Sequence, residues 1–482
     1  MFFRVLLIFL VLFQIQSFQF EKDFQANIKV KSRQNPQYEL NGKVEIKNGE
    51  IRSTLMGQGD FFYYENGKLL NHKEDDSFCV DKSDTPPFFN FFEILKTLKP
   101  LEHETFDNEV NKCHKKWNTV YNGEFFVVCE ENGTFTKIIG ENLLISIQIL
   151  PKIYQKLGFF YMVDKCEQNI LKPEILIEKK PWYEKEEICR LDWLSDESKC
   201  PKNKYKPDKT CIFFHGSGER VTGPPLNEHS EYWGPLNRFT PHCKVRRYIR
   251  EETKMRGWND EGLQKIYCKE ATFDQQDKTI IRNKIIYTHS MGGLVVAGAI
   301  RNKFCDIDTK TSSWYTIAPA YQGSHLVKFV RNVCERKDPG VLPQIYRYIS
   351  EFFGYCIPGK DELYPVYETL DLDYSYMKEL VEISLHRLNG SLCGDSAYGL
   401  NTVFSIPLSI VASYANFPEH SDGLVPISSC QIVGKRQGKT FGETPDEMYY
   451  KPSTNHPDNT CRHGDGLWGN TRKPCSYFLN KF

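Results

Sequence analysis

The stretch Ile285-Ile286-Tyr287-Thr288-His289-Ser290-Met291-Gly292-Gly293-Leu294-Val295-Val296-Ala297 decides the fold. It reads as a short apolar strand, a tight turn carrying a serine, and an apolar helix. Such a turn stands its serine Oγ at the carboxyl edge of a parallel sheet, where the chain reverses sharply. The first N–H groups of the following helix have no partner within it, so they are free to face a developing negative charge. Strand and helix backbones nearly touch beside the serine, which demands small residues there. Gly292 meets that demand, whereas Thr288 stands where the pattern usually has a first glycine. The plainer alternative is an ordinary strand–helix junction with a serine N-cap.

Working outward, strand–helix alternation runs from about Thr210 and predicts a mostly parallel sheet flanked by helices. Cys211-Ile212-Phe213-Phe214 has the unbroken apolar character of a buried strand and leads into His215-Gly216-Ser217-Gly218. Lys244 to Ile249 reads as the next strand, and Gly257-Trp258-Asn259-Asp260 caps a helix running to about Lys269. Trp314 to Ala318 is a further strand, ending in Pro319-Ala320-Tyr321-Gln322-Gly323-Ser324. From Leu326 to Ser405 the pattern is helical and aromatic, and Leu408 to Ala412 reads as a strand. His420-Ser421-Asp422-Gly423-Leu424-Val425-Pro426 follows it, and two histidines come later, His456 and His463.

Three of these segments carry a resemblance. Thr288-His289-Ser290-Met291-Gly292-Gly293 is similar to the elbow of lipases and esterases in the α/β-hydrolase superfamily. Pro319-Ala320-Tyr321-Gln322-Gly323-Ser324 resembles the loop after the next strand in the same enzymes, and Asp422-Gly423-Leu424-Val425-Pro426 resembles their acid-bearing segment. The resemblance covers about residues 210–468. It implies Ser290 as nucleophile, Asp422 as the acid that orients a histidine, and His456 as the base, because Asn455-His456-Pro457-Asp458 looks like the histidine segment of secreted lipases. His463 is the other histidine in the required order. Backbone N–H groups of Met291 and of Gly216 or Ser217 would form the oxyanion hole. His289 would pack or hydrogen-bond rather than react. The span 326–405, where the hydrolase sheet has no strand to place, would be a lid insertion, with a glycan at Asn389. The implied substrate is a carboxylic ester, and more narrowly a lipid ester, with no cofactor. Asp458 alone supplies too few oxygens to infer calcium, which takes about six to eight.

The amino-terminal half, 18–170, reads as antiparallel and β-rich. Asn-Gly pairs at Asn41, Asn48, Asn66, Asn122 and Asn132 supply the φ > 0 residues of tight hairpins. Between them lie β-prone runs such as Lys43 to Lys47, Phe61 to Tyr64 and Glu124 to Val128. A sandwich or half-barrel follows, interrupted by a helix over Phe89 to Leu98. Cys79, Cys113, Cys129 and Cys166 could close two disulfides. The hairpin rhythm resembles the ependymin-like, lipoprotein-carrier type of β-fold, which implies an apolar ligand. A linker of mixed charge spans 171–209 and leads into a domain over 210–482.

Residues 1–17 read as a secretory signal peptide: Arg4, then an apolar run from Val5 to Phe13 that is too short for a membrane span, then Ser17 before the cut. The 16 cysteines, even in number and all beyond that segment, imply disulfides and an oxidising compartment, outside the cell or in a secretory or lysosome-like vesicle. The sequons at Asn132 and Asn389 could carry glycans. Lys plus Arg and Asp plus Glu balance at 62 each with no basic tract, which points away from nucleic acid. Transient contact with a membrane or lipid surface fits a lipid substrate. Two other readings stay open: a non-catalytic binding or adhesive protein on a hydrolase scaffold, and a serine peptidase, since a triad does not distinguish esters from amides.

Overall fold

Two sheets carry the chain, one antiparallel and one mostly parallel. The structure is a computed structural model. It describes residues 24–150 except 34–38, 48–49, 57–59, 66–67, 74–75, 80–96 and 122–123. It also describes 181–184, 189 and 208–479, except 336–353, 373–376, 401, 403 and 416. The proposed signal peptide, the ends of the linker expected at 171–209 that fall outside 181–184, 189 and 208–209, the side chain of Cys79, and Cys166 lie outside the described residues, as does all but the end of the helix expected at Phe89 to Leu98. The chain divides into two units, Met1–Pro201 with Leu467–Gly469, and Lys202–Gly466 with Asn470–Phe482.

The first unit is one sheet of eleven strands: β1 (Phe24–Ser32), β2 (Glu39–Lys47), β3 (Glu50–Met56), β4 (Asp60–Glu65), β5 (Lys68–Lys73), β6 (Asp76–Cys79), β7 (Lys99–Pro100), β8 (Lys115–Tyr121), β9 (Glu124–Glu131), β10 (Thr134–Ile139) and β11 (Leu143–Leu150). Two meanders, β1 to β6 and β7 to β11, meet where β1 pairs antiparallel with β11. On β1 the residues Ala26, Ile28 and Val30 are buried at every second position, as the pleat requires. Asn132 and Gly133 both take positive φ, 52° and 78°, and turn β9 into β10. Asn48, Asn66 and Asn122 lie outside the described residues, and the flanking strands pair antiparallel through Lys47↔Glu50, Glu65↔Lys68 and Tyr121↔Glu124. Asn41-Gly42 departs from the expectation of a turn. It lies within β2, with Gly42 opposite Ile28 and Leu55. Cys113 bonds to Cys129.

The second unit holds a seven-stranded sheet in the order β13-β14-β12-β16-β18-β19-β20. These are β12 (Lys209–Phe214), β13 (Gly223–Leu226), β14 (Cys243–Arg250), β16 (Lys284–His289), β18 (Ser313–Ile317), β19 (Leu388–Leu392) and β20 (Tyr449–Tyr450). Only β13 runs antiparallel, and β15 (Ile280–Ile281) and β17 (Asp306–Ile307) form a separate two-stranded pair. The helices flanking it include α1 (Glu261–Ala271), α2 (Met291–Arg301), α3 (Leu326–Cys334), α4 (Met377–Leu385), α5 (Ser405–Ala415), α6 (Ile427–Arg436) and α7 (Pro474–Leu479). Asp260 caps α1 by accepting from the Leu263 N–H.

The two faces of this sheet differ. Ile212, Phe214, Ile286 and Trp314 point into a core with Leu263 of α1 and Leu294 and Val295 of α2. On alternate positions Tyr248, Phe213, Tyr287 and Tyr315 stand in register across four parallel strands. Their rings lie 4.3, 5.1 and 5.6 Å apart in succession, and Phe478 of α7 covers Tyr287. Each such contact adds roughly 0.5–1.5 kcal/mol beyond area burial.

Two expectations fail here. Leu408 to Ala412 is part of helix α5, not a strand, because a short apolar run has no period that separates helix from strand. The span 326–405 also gives the sheet a strand, β19, so it is not a purely helical insertion. Its Asn389-Gly390 looks like a surface turn in sequence. In the fold Gly390 is there because a Cβ would sit 2.4 Å from the Met448 carbonyl beside β20, and the Asn389 side chain accepts from the Trp314 N–H within the sheet.

Candidate active site

Ser290 sits between β16 and α2 with φ 53° and ψ −125°, a conformation that L residues adopt only where the surroundings force it. Three features force it here. The Ser290 N–H donates to Ile317 O at 2.8 Å, tying the turn to β18. A Cβ on Gly292 would lie 2.6 Å from His215 O, and one on Gly216 would lie 2.6 Å from the Ser290 Cβ. The end of β12 therefore presses against the turn from below. Thr288, the departure from the sequence pattern, is fully buried, and its Oγ1 accepts from Trp314 Nε1 at 3.0 Å. Gly293 leaves it that room.

Asp422 and His456 meet at the end of the same unit. His456 Nδ1 lies 2.7 Å from Asp422 Oδ2, and the His456 N–H donates to Asp422 O. The carboxylate is 1% exposed. Its Oδ1 accepts from the N–H groups of Leu424 and Val425, and its Oδ2 also accepts from Asn459 Nδ2 at 3.2 Å. Asp422 thus has four donors and one orientation. Disulfides hold both loops: Cys393, just past β19, to Cys430 of α6 beyond Asp422, and Cys461 to Cys475 beyond His456.

His463 pairs elsewhere. Its Nδ1 lies 2.7 Å from Asp458 Oδ1, and the buried Asp458 also accepts from the Leu400 N–H. The Asp458 carboxylate therefore serves protein donors. Among the described residues one group gathers three side chains of metal-ligating type, Cys211, His242 and Cys243, but its two sulfurs are bonded to each other and are not thiolates.

A chain of hydrogen bonds ties these parts together, and its directions follow from what each group can do. Gly216 N–H can only donate, so the Tyr232 hydroxyl accepts from it at 2.8 Å. His456 O can only accept, so His289 Nε2 carries the proton that reaches it at 3.3 Å. His289 Nδ1 is then the acceptor of the Tyr232 O–H at 2.6 Å. Burial, with the nearby His456, drives the His289 pKa well below its ordinary value, which keeps this neutral tautomer. Thr460 and Arg462 both donate to Tyr232 O, and the Arg462 guanidinium lies 5.1 Å over the Tyr232 ring. Tyr232, Asn459 and Arg462 carried no signal in the sequence, because their roles depend on contacts across the fold.

Ser290 and His456 open onto one cavity of about 350 Å³. Ala320, Leu326, Val327, Val330, Leu370 and Leu424 give it an apolar wall. Ser217, Glu219, His229 and Arg462 line it elsewhere. The His229 imidazole, 3.6 Å from Glu219, holds that carboxyl down at about 2 against the opposing effect of burial. Met291 opens α2 directly after Ser290. The Gly216 N–H, expected as an oxyanion donor, goes to Tyr232 instead.

Among the described residues no helix is long and apolar enough to cross a membrane. No protein-family model matches the sequence, and no curated protein matches it. The architecture itself is of the α/β-hydrolase type, a mostly parallel sheet with flanking helices, together with a separate antiparallel sheet.

Proposed function

We propose that this protein is a secreted serine hydrolase that cleaves carboxylic esters, with lipid esters as the preferred class. The observation that carries the reading is the pairing of a strained serine turn with a buried Asp–His couple at one cavity. Ser290 Oγ attacks the ester carbonyl carbon while His456 Nε2 takes its proton. Asp422, fixed by its four donors, holds the ring through Nδ1 and stabilises the imidazolium that forms. The tetrahedral oxyanion is received by backbone N–H groups of Met291 and Ser217. Gly216 serves at one remove, because its N–H supports Tyr232. The intermediate collapses as His456 returns the proton to the leaving alcohol, and water repeats the sequence on the acyl-enzyme. The apolar wall suits a hydrocarbon acyl chain, which supports the lipid preference.

Labelling with a fluorophosphonate probe tests this. Wild type should label, and Ser290→Ala and His456→Ala should both abolish labelling while keeping the wild-type melting temperature within a few degrees. A folded wild type that fails to label would remove the hydrolase assignment.

A further inference from the structure

Several cations of the second unit meet acids. Lys284 meets Asp274 at 2.8 Å, Arg247 meets Glu270, and Arg256 meets Glu251 at 2.8 Å. Lys254 and Arg220 do not. Lys254 is 7% exposed, and among the described residues neither its ammonium nor the Arg220 guanidinium forms an ion pair or hydrogen bond with a protein group. The Lys254 Nζ rests 4.7 Å from the centre of the Tyr364 ring. Both heads converge on Gly354, where an added Cβ would lie 2.5 Å from Lys254 Nζ and 3.9 Å from Arg220 Nη2. Burial, with the nearby Arg220 charge, pushes the Lys254 ammonium pKa below its ordinary value. An unpaired ammonium out of water is costly, and two facing cations cost more. They border a cavity of about 420 Å³, open between Tyr364, Pro358 and Met255. Among the described residues the one carboxylate on its rim is Glu252, whose Oε1 accepts from the N–H groups of Lys254 and Met255.

From this convergence of Lys254 and Arg220 on the space left by Gly354, we infer a binding site for a phosphate-type oxyanion, separate from the Ser290 cavity. Two cations supply the charge and the cavity beside them the room, while the absence of a side chain at residue 354 leaves the Lys254 ammonium its place. The site is also wired to the serine. Residues 216–219 and Thr253 are joined by four hydrogen bonds: Gly218 N–H to Thr253 O, Thr253 N–H to Glu219 O, Glu219 N–H to Thr253 Oγ1, and Thr253 Oγ1 to Gly216 O. An anion held between residues 220 and 254 therefore braces the strand of chain that carries Ser217. The site stands on its own charges and does not require Ser290 to be a nucleophile.

The test uses the full chain with inorganic phosphate as the probe, at constant ionic strength. Phosphate should raise the wild-type melting temperature by roughly 2–4 °C. Ser290→Ala should respond like wild type, which separates this site from the triad. Arg220→Gln, at an exposed position, and Lys254→Met, which keeps the packed stem, should each weaken phosphate binding about tenfold. In the absence of phosphate Lys254→Met should melt no lower than wild type, since an unpaired charge is lost. Should Lys254→Met fail to fold, Arg220→Gln decides alone. Co-sedimentation with phosphatidylcholine vesicles, with and without phosphatidylserine, identifies the source. Binding to anionic vesicles that phosphate displaces assigns a lipid headgroup, and phosphate binding without it assigns a soluble phosphate. A wild type that ignores both probes, or variants that respond as wild type does, would overturn the site.

Discussion

His456 and His463 lie seven residues apart, and each presents Nδ1 to an aspartate oxygen at 2.7 Å. By that measure they are the same structure, yet they stand in different surroundings. His456 lines the cavity with Ser290, and its aspartate is fixed by Asn459 and two backbone N–H groups. His463 lies against Phe404, and its aspartate ties down the Leu400 backbone. A His–Asp pair is thus a way to fix a ring or a loop. It becomes a base only where the far nitrogen faces a group that can give up a proton.

The sharpest way to break the comparison is to remove each ring in turn. His456→Ala should cost about 10⁴–10⁶ in kcat on an ester substrate. His463→Ala should leave kcat within about threefold while lowering stability by about 1–3 kcal/mol, because the buried Asp458 loses a donor. Equal losses of activity would erase the distinction. A smaller effect should follow from Asn459, whose amide holds Asp422 Oδ2 and whose Oδ1 accepts from Thr454. Asn459→Ala should lower kcat about tenfold with KM nearly unchanged, as expected for a positioning residue. Unchanged kcat would leave the two backbone N–H groups as sufficient support.

Acidification gives the mildest test. His215 and His289 are buried and neutral: His215 Nε2 accepts from the Glu251 N–H, and His289 Nδ1 accepts from Tyr232. Burial lowers both pKa values below the unfolded value of about 6.5. The unfolded chain therefore takes up protons first as pH falls. Stability should be complete above about pH 6.5 and decline below it, by about 1–3 kcal/mol over the first pH unit of acidification for the two groups together. Glu219, held at about 2, should contribute its loss only between about pH 4.5 and 2. Chemical denaturation at pH 7, 6 and 5 reads the first window, and His289→Asn should flatten it. A flat wild-type curve would contradict the neutral assignment.

The sequence revealed these parts unevenly. The serine turn was legible because strand, turn and helix are encoded in adjacent residues, and small residues are needed where backbones meet. The sheet strands β12, β16 and β18 were legible as buried apolar runs. Strand β19 was hidden, because an Asn-Gly pair signals a turn unless the neighbouring chain, here Met448, is known to pass within touching distance. Helix α5 was misread because a five-residue run with four apolar residues fits either period. Tyr232 and His289 are 57 positions apart, and no local pattern announces a hydrogen bond of that span. The same holds for Lys254 and Arg220, whose meaning lies in the carboxylate that does not meet them.

The disulfides beside the acid and the base carry a consequence for the newly made chain. Cys393–Cys430 and Cys461–Cys475 hold the loops of Asp422 and His456, and neither bond forms in a reducing cytosol. A newly made chain would then carry Ser290 between its strand and helix without the clamps that hold Asp422 and His456. Under the proposed function, oxidation would act as a safety catch, leaving the base unaimed until the chain reaches an oxidising compartment.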